Sequence, residues 1–281
     1  MSSQPPHVSS PLAATAVLVD LRNFTPNLKA SPVTADGLNV FCGLLSRFYG
    51  VCVKAATIAV GPDAASSVYV NSTGDGVLMV FFDDERHSQH GYLTTLLLNC
   101  ALESVCASYN DEHGQPHVPS TSYGIGMESG HVCRVTDSSQ TEDMVVETYI
   151  GDCINVAARV EGLTKTVHET HTIIGTRSNA ALCRTLFDED YDRLIDAALV
   201  PGLDDAERLA IYDQMMDLNR RLCLEFMHVA VLKGVDNPSP LFRIEDRRAQ
   251  EDNPQFEELL RALTVSSEQR DAAVSFLRRC D

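Results

Sequence analysis

The stretch AVLVDLRNFTPN, residues 16–27, places an acidic residue, Asp20, at the end of an apolar run and then continues as a polar turn. A second stretch, VYVNSTGDGVLMVFF, residues 68–82, holds Asp75 between two glycines and between two apolar runs. Each apolar run has the length and composition of a β-strand. Carboxylates at the ends of neighbouring strands can bind hard divalent cations, so the two stretches together indicate a metal site.

Ordinary turn chemistry offers an alternative for each of these residues. Asp-Gly is a favoured hairpin sequence, so Asp75 with Gly74 and Gly76 also fits a plain turn. The residues after Asp20 allow two interpretations as well. Their backbone amides are placed to cradle phosphate oxygens at a strand-to-helix turn, or they form a simple connecting loop. These candidate phosphate-binding residues are Asn23, Phe24 and Thr25.

Length and charge limit the classes of partner. The chain has 281 residues and a formal net charge of −17, with 44% apolar residues. That length suits one large domain or two small ones. The negative charge predicts no nucleic-acid partner and no binding to anionic membrane. Apolar runs look too short for a membrane span, and the N-terminus lacks a signal-peptide pattern, so a cytoplasmic protein is expected. Nine cysteines without CxxC pairs indicate buried, reduced thiols.

Strand-like and helix-like patterns alternate along the chain. Their order predicts an α+β fold, an antiparallel-rich sheet with helices on one face. The glycine-rich stretch YGIGMESGH, residues 123–131, lacks the spacing of a dinucleotide-binding fingerprint and is interpreted as a β-turn between two strands. The predicted strands are 15–20, 68–71, 77–82, 121–127, 130–135, 145–149, 171–175, 223–232 and 240–244.

Changes in composition divide the chain into three segments. Residues 1–13 are expected to form a flexible N-terminal tail, and 14–248 the main domain. Within that domain, the charged stretch at about 188–220 predicts an inserted pair of helices split by Pro201-Gly202. Residues 249–281 are expected to form a C-terminal helical extension.

Three further polar residues are candidates for binding an anion. Asn155 and Arg159 are four residues apart in DCINVAARVEG, so a helix would present both from one face. Burying a lone guanidinium is costly, so Arg159 is expected to meet an acid or a phosphate. A surface arginine paired with Glu161 or Glu147 is the alternative. Lys233 ends an apolar run before a glycine turn, where a solvated lysine is the default.

Taken in order, four of these stretches resemble the class III nucleotide cyclase catalytic domain. The matching segments are VLVDLRNFT, STGDGVLMVF, YGIGMESGHV and YIGDCINVAARVE, which cover roughly residues 14–175, and VLKG…PLFRI extends the match to about 245. The resemblance implies a ferredoxin-like α+β domain. It also implies a head-to-tail homodimer with active sites across the interface and a nucleoside triphosphate as substrate.

The same resemblance assigns metal ligands. Asp20 and Asp75 match the two metal-binding aspartates of the family, with Leu21 beside them. Two divalent cations, Mg²⁺ or Mn²⁺, would join these residues to the triphosphate. Such ions lower the pKa of an attacking hydroxyl and neutralise developing charge.

Three residues are implied to act from the partner chain. Asn155 and Arg159 match the pair that orients the ribose and stabilises the phosphate in the transition state. Lys233 matches a late lysine that contacts the triphosphate. Removing a phosphate-stabilising arginine typically costs on the order of 10²–10⁴ in rate.

The positions that select the base depart from both purine patterns. Asn71 and Thr148 stand where purine cyclases carry charged or cysteine-like residues. This departure resembles the bacterial pyrimidine cyclases of Pycsar anti-phage systems, which implies cyclic UMP or cyclic CMP made on infection and bound by a separate effector. Tyr49 is a candidate to fill the space left by a smaller base. Thr148 can donate to uracil O4, which favours UTP over CTP.

Two other hypotheses remain. An adenylate cyclase with an unusual base pocket would run the same reaction on ATP. A catalytically inactive nucleotide-binding regulator belongs to a different functional class. It is disfavoured because both aspartates, the asparagine and the arginine are all present.

Overall fold

A computed structural model describes most of the chain. The flexible tail predicted for residues 1–13 lies partly outside the described residues, because residues 1–6 are not described. Residues 7–8 pair with a long central strand, and a second strand begins at Leu12, so this part of the expected tail is β-structure. The described residues are 7–30, 35–82, 85–114, 116–137, 146–167, 170–233, 235, 238–244 and 254–279.

One mixed sheet organises the described part of the chain. Its strand order is β3-β4-β2-β5-β7-β9-β8, and β1 and β6 also pair with β5. The β5–β7 pair is parallel and the other pairs are antiparallel, which confirms the predicted α+β class. The strands are β1 (His7–Val8), β2 (Leu12–Arg22), β3 (Val68–Ser72), β4 (Gly76–Phe81), β5 (Ser122–Asp137), β6 (Val146–Gly151), β7 (Thr172–Gly175), β8 (Leu224–Ala230) and β9 (Ser239–Ile244).

Helices connect these strands and include the predicted pair after residue 188. A 3-10 helix, Pro62–Ser67, precedes β3. Gly202, with φ of 90°, lies in the turn between the two inserted helices. Ser266 accepts a hydrogen bond from Gln269 N and caps the last helix. The helices are α1 (Phe24–Ala30), α2 (Ala35–Val60), α3 (His87–His113), α4 (Asp152–Leu163), α5 (Thr176–Phe187), α6 (Tyr191–Ala198), α7 (Asp205–Arg221), α8 (Pro254–Leu263) and α9 (Ser267–Arg278).

Helices cover both faces of the sheet. Along β2, Val17 and Val19 point into a large core shared with α2 and α3, whereas Ala14 and Ala16 pack with Cys153 of α4. Side chains on a strand alternate between faces, so these two sets mark opposite sides. The expectation that helices lie on one face is therefore wrong, because the apolar face of α4 is buried against the other side.

The glycine-rich stretch 123–131 lies inside β5 and is not a turn. Its glycines make room for α4. A methyl group at Gly126 would lie 2.2 Å from the Ala157 carbonyl oxygen and 2.4 Å from Glu161 N. One at Gly124 would lie 2.4 Å from the Glu161 carboxylate. The α4 backbone thus rests directly on the strand, and the interpretation of this stretch as a β-turn is wrong.

A buried polar cluster fixes the start of α4. Glu128 is 3% exposed and accepts hydrogen bonds from Ser129 N at 2.9 Å and Ser178 N at 3.0 Å. Burial raises the pKa of the Glu128 carboxyl to about 7, opposed by the nearby Arg177 guanidinium. Arg177 also forms an ion pair with Asp152, the first residue of α4. These contacts join the beginnings of α4 and α5.

One described helix is long and apolar enough to cross a membrane by length and composition alone. It covers Leu38–Val60, with a mean hydropathy of 1.3, and 39% of its most apolar window is buried. The expectation that no run approaches the length of a span is wrong for this segment. Its buried side chains include Phe41, Leu44, Phe48 and Cys52, which belong to the core beneath the sheet.

The close contact of α4 with β5 can be tested by adding a methyl group. Gly126→Ala should lower the free energy of unfolding by about 1–3 kcal/mol, because the methyl group meets backbone atoms of α4. Gly162→Ala, inside α4 with no atom within 4 Å of the added methyl group, should raise it by about 0.5–1 kcal/mol. Urea unfolding followed by circular dichroism measures both. Equal stability of the two variants would contradict this packing.

Candidate active site

The two aspartates predicted from the sequence meet at one end of the β2–β4 pair. Asp20 lies opposite Gly76 in the antiparallel register, and Leu21 N donates to the Asp75 carbonyl oxygen at 2.9 Å. Gly74, with φ of 90°, allows the tight turn before Asp75. The predicted proximity of the strand ends is observed. The role of these residues as metal ligands stays a prediction.

A cleft of about 540 Å³ opens at this strand end. It contains all three candidate phosphate-binding residues as well as both aspartates. Carboxylates and the beginning of α1 therefore line the same cleft. The lining residues are Asp20, Leu21, Arg22, Asn23, Phe24, Thr25, Pro26, Asp75, Ser122 and Lys165.

The turn after Asp20 is shorter than the sequence suggested. Helix α1 begins at Phe24, so the polar segment is a helix rather than an open loop. Asn23 supplies the connection with φ of 60°, a left-handed conformation that asparagine tolerates better than most residues. Its side-chain amide donates to the Ser120 carbonyl at 2.8 Å, which fixes the turn.

Lys165 is a cleft residue that the sequence analysis missed. Its Nζ lies 3.0 Å from Asp20 Oδ2 and 3.7 Å from Glu161 Oε2. It follows the end of α4, and the Glu161–Lys165 spacing of four residues was the available signal. That spacing predicts a helical ion pair but does not reveal the contact with Asp20.

Burial and neighbouring charges shift the pKa values of Asp20, Glu161 and Lys165 in opposite directions. Burial raises the pKa of the Asp20 carboxyl, and Lys165 partly offsets that rise. Burial also raises the pKa of the Glu161 carboxyl. Burial by itself would lower the pKa of the Lys165 ammonium, but the hydrogen bond to Asp20 and the charge of Glu161 raise it overall. Lys165 therefore stays cationic beside the carboxylates.

Arg22 is a second missed cation. Its Nε and Nη2 atoms are buried and have no hydrogen-bond partner in the described structure, and Nη1 lies 3.5 Å from His171 Nδ1. Burial lowers the pKa of its guanidinium. Glu161 Oε1 is likewise buried without a hydrogen bond to any described residue. Arg22, which lines the cleft, and Glu161 thus hold buried polar atoms whose hydrogen-bonding capacity is unused among the described residues.

The oxygen ligands of the cleft fit a divalent cation whose coordination shell is completed by substrate oxygens. No group of three or more His, Cys, Asp or Glu residues suited to a metal occurs in the described ranges. The protein therefore offers two carboxylates, Asp20 and Asp75, which is the number Mg²⁺ uses when phosphate oxygens and water supply the rest. The Lys165 ammonium on Asp20 marks where a positive charge is stabilised.

Asn155 and Arg159 share the outward face of α4. Asn155 is exposed and Arg159 half-buried, whereas Val156 and Val160 point into the protein. This confirms that a helix presents both polar residues together. Neither lines the cleft of Asp20, although both are in the described part of the chain.

The Arg159 guanidinium has no ion-pair partner among the described residues. The two alternative partners are engaged elsewhere, since Glu147 pairs with Arg134 and Glu161 with Lys165. The alternative prediction, in which Arg159 pairs at the surface with Glu161 or Glu147, is therefore wrong within the described part of the chain.

The remaining predicted residues are placed apart from the cleft. Lys233 is exposed in the turn after β8, and the structure does not bring it to Asp20. Asn71 on β3 and Thr148 on β6 are both exposed. The aromatic rings of Tyr69 and Tyr149, which neighbour them in sequence, lie 4.9 Å apart. This ring contact joins β3 to β6 and does not include Asn71 or Thr148.

Tyr49 lies against the metal-site turn. Its hydroxyl donates to the Gly74 carbonyl, directly before Asp75. Burial raises the pKa of this phenol, and the Asp75 charge raises it further. The contact places Tyr49 beside the carboxylates, whereas its predicted role was to fill space next to the base. That role is not tested by this contact.

Comparisons with known proteins agree with this architecture. No protein-family model matches the sequence. An adenylate cyclase of Anabaena cylindrica is 30% identical over 204 residues, which cover 71% of this chain and 36% of that protein. The chain thus spans about a third of the length of this relative.

Solved structures extend the comparison to three dimensions. The adenylyl cyclase CyaB from P. aeruginosa aligns with a TM-score of 0.55 at 11% identity, covering 86% of this chain and 97% of that one. The guanylyl cyclase Cya2 aligns with a TM-score of 0.53 at 15% identity, covering 85% and 94%. The chain therefore has the fold of the catalytic domain of class III adenylyl and guanylyl cyclases.

Proposed function

We propose that this protein is a nucleotide cyclase that converts a nucleoside triphosphate to a 3′,5′-cyclic nucleotide and pyrophosphate. The observation that carries the proposal is the pairing of Asp20 and Asp75 in one cleft that the start of α1 also lines. Carboxylates there suit divalent cations, and the amides of Phe24 and Thr25 suit phosphate oxygens. The cyclase fold around the cleft supports the same reaction.

The reaction joins O3′ to the α-phosphorus and breaks the bond from that phosphorus to the bridging oxygen, which leaves with pyrophosphate. Divalent cations bound by Asp20 and Asp75 would supply charge neutralisation and a lowered pKa for the 3′-hydroxyl. Asn155 would orient the ribose, and Arg159 would stabilise the α-phosphate with paired hydrogen bonds. Lys233 would contact the triphosphate.

The positions of these residues support a homodimer. Asp20 lines a cleft that does not contain Asn155, Arg159 or Lys233, although all four lie within the described ranges. We therefore propose that the partner chain supplies the last three to each site. The unpaired Arg159 on the outward face of α4 supports this arrangement.

The proposed substrate is UTP, and the proposed product is cyclic UMP. Asn71 presents a carbonyl and an amino group that can pair with uracil N3–H and O4, or, flipped, with cytosine. Thr148 can add a hydrogen bond to O4 without a charge, which favours uracil. Selectivity through neutral bonds is limited, since an unmade bond leaves a polar group unpaired at about 1–3 kcal/mol.

The biological setting is part of the same proposal. The protein would be cytoplasmic, and its cyclic nucleotide would act on a separate effector during anti-phage defence. The neutral pair Asn71 and Thr148, in place of purine-selecting residues, supports this assignment. Synthesis of cyclic CMP or cyclic AMP is the competing outcome.

Removing either carboxylate tests the reaction. Asp20→Ala and Asp75→Ala should each reduce cyclisation to below a few per cent, because the cation loses one of two protein ligands. Pyrophosphate release at saturating Mn²⁺ measures this, with the melting temperature as a check on folding. Asp111→Ala, an acidic-to-neutral change at an exposed residue of α3 that does not line the cleft, is the charge control. Full activity in either active-site variant would remove the metal-site assignment.

Mixing two inactive variants tests the shared site. Asp75→Ala and Arg159→Ala proteins should regain about a quarter of wild-type activity after subunit exchange, since half of the dimers are mixed and each has one intact site. Labelled subunits show that exchange has occurred. A mixture that exchanges and stays inactive would place the whole site in one chain.

Competition among the four triphosphates tests the base. At equal concentrations with Mn²⁺, cyclic UMP should be the main product, identified by mass spectrometry. Predominant cyclic CMP would contradict the choice of uracil, and predominant cyclic AMP or cyclic GMP would contradict a pyrimidine site. The absence of any cyclic product, together with tight nucleotide binding, would favour the inactive regulator.

A further inference from the structure

The contact between Lys165 and Asp20 links a cation of the chain to the proposed metal site. Lys165 Nζ is 3.0 Å from Asp20 Oδ2, and the two side chains are 50% and 24% exposed. The ammonium also lies 3.7 Å from Glu161 Oε2. It therefore contacts one of the two Asp20 carboxylate oxygens and lies close to any divalent cation that this carboxylate would bind.

A divalent cation bound to Asp20 would repel this ammonium. Two positive charges on one carboxylate repel each other, and the ammonium is the one on a flexible four-carbon stem. Both residues line the cleft that Asn23, Phe24 and Thr25 also line. An ammonium displaced from Asp20 would therefore remain in the same cleft as the candidate phosphate-binding residues.

We propose that Lys165 is a triphosphate-binding residue acting within its own protomer, which neutralises Asp20 until a divalent cation takes its place. This inference rests on the proposed function for the presence of metal and triphosphate. It assigns a role to a residue that the sequence motifs do not include. The buried Glu161 carboxylate lies 3.7 Å from the Lys165 ammonium and helps to hold it at the cleft.

Two binding measurements on Lys165→Met test the proposal without activity. In the absence of nucleotide, Mn²⁺ should bind about fivefold or more tightly, because no ammonium has to be displaced. The signal of free Mn²⁺ in electron paramagnetic resonance measures this affinity. In the presence of saturating Mn²⁺, inorganic triphosphate should bind at least about tenfold more weakly, because one charge-assisted hydrogen bond is lost. Calorimetry measures that affinity.

Inorganic triphosphate makes the result independent of the choice of base. Lys54→Met is the control, since Lys54 is an exposed lysine of α2 that lies over the Phe276 ring outside the cleft. It should change neither affinity by more than about twofold. Lys165→Arg should keep triphosphate affinity within about threefold of wild type, because the positive charge and its reach are retained.

The outcomes separate this inference from the proposed function. Tighter Mn²⁺ binding with unchanged triphosphate binding would make Lys165 a counterion only and overturn the proposal. If Lys165→Met bound Mn²⁺ with the same affinity as wild type, the proposal that Mn²⁺ displaces the Lys165 ammonium from Asp20 would be overturned. A wild-type protein that binds neither Mn²⁺ nor triphosphate would overturn the proposed function itself, and this inference with it.

Discussion

Direct contact between a helix backbone and a strand backbone determines where the candidate site residues lie. Helix α4 rests on β5 with no side-chain layer between them at Gly126, where a methyl group would be 2.2 Å from the Ala157 carbonyl. This contact fixes the height and rotation of α4. It therefore places Arg159 outward, and it places Lys165, just past the helix end, over Asp20.

Local charge differs from overall charge in this protein. The chain carries −17, yet the candidate cleft contains Arg22 and Lys165 beside its two aspartates. An anion with several charges can bind an acidic protein when cations are concentrated at one point. The overall charge would then act against polyanions too large to enter the cleft.

The sequence was sufficient for the features that depend on local pattern. Apolar runs located β2 and β4, the glycines around Asp75 predicted the turn, and the four-residue spacing placed Asn155 and Arg159 on one helix face. Such features depend on neighbouring residues only. The ordered motifs added the fold, which composition could not provide.

Features that depend on distant residues were missed or misinterpreted. The glycines of β5 indicated a turn, but their purpose is to admit α4, which a single-strand pattern does not reveal. Lys165 and Asp20 are 145 positions apart, and no periodicity links them. The helix on the second face of the sheet was missed for the same reason.

The direct backbone contact between α4 and β5 at Gly126 has a mechanical consequence. A helix separated from a sheet by flexible side chains can slide as those chains change rotamer, which is the usual basis of shear motion. Here the backbones touch, so α4 and the central strand move as one body. In the proposed dimer, α4 would carry Arg159 for one site and lead to Lys165 in the other. Opening and closing would then occur as rotation between subunits, and the two sites would change together.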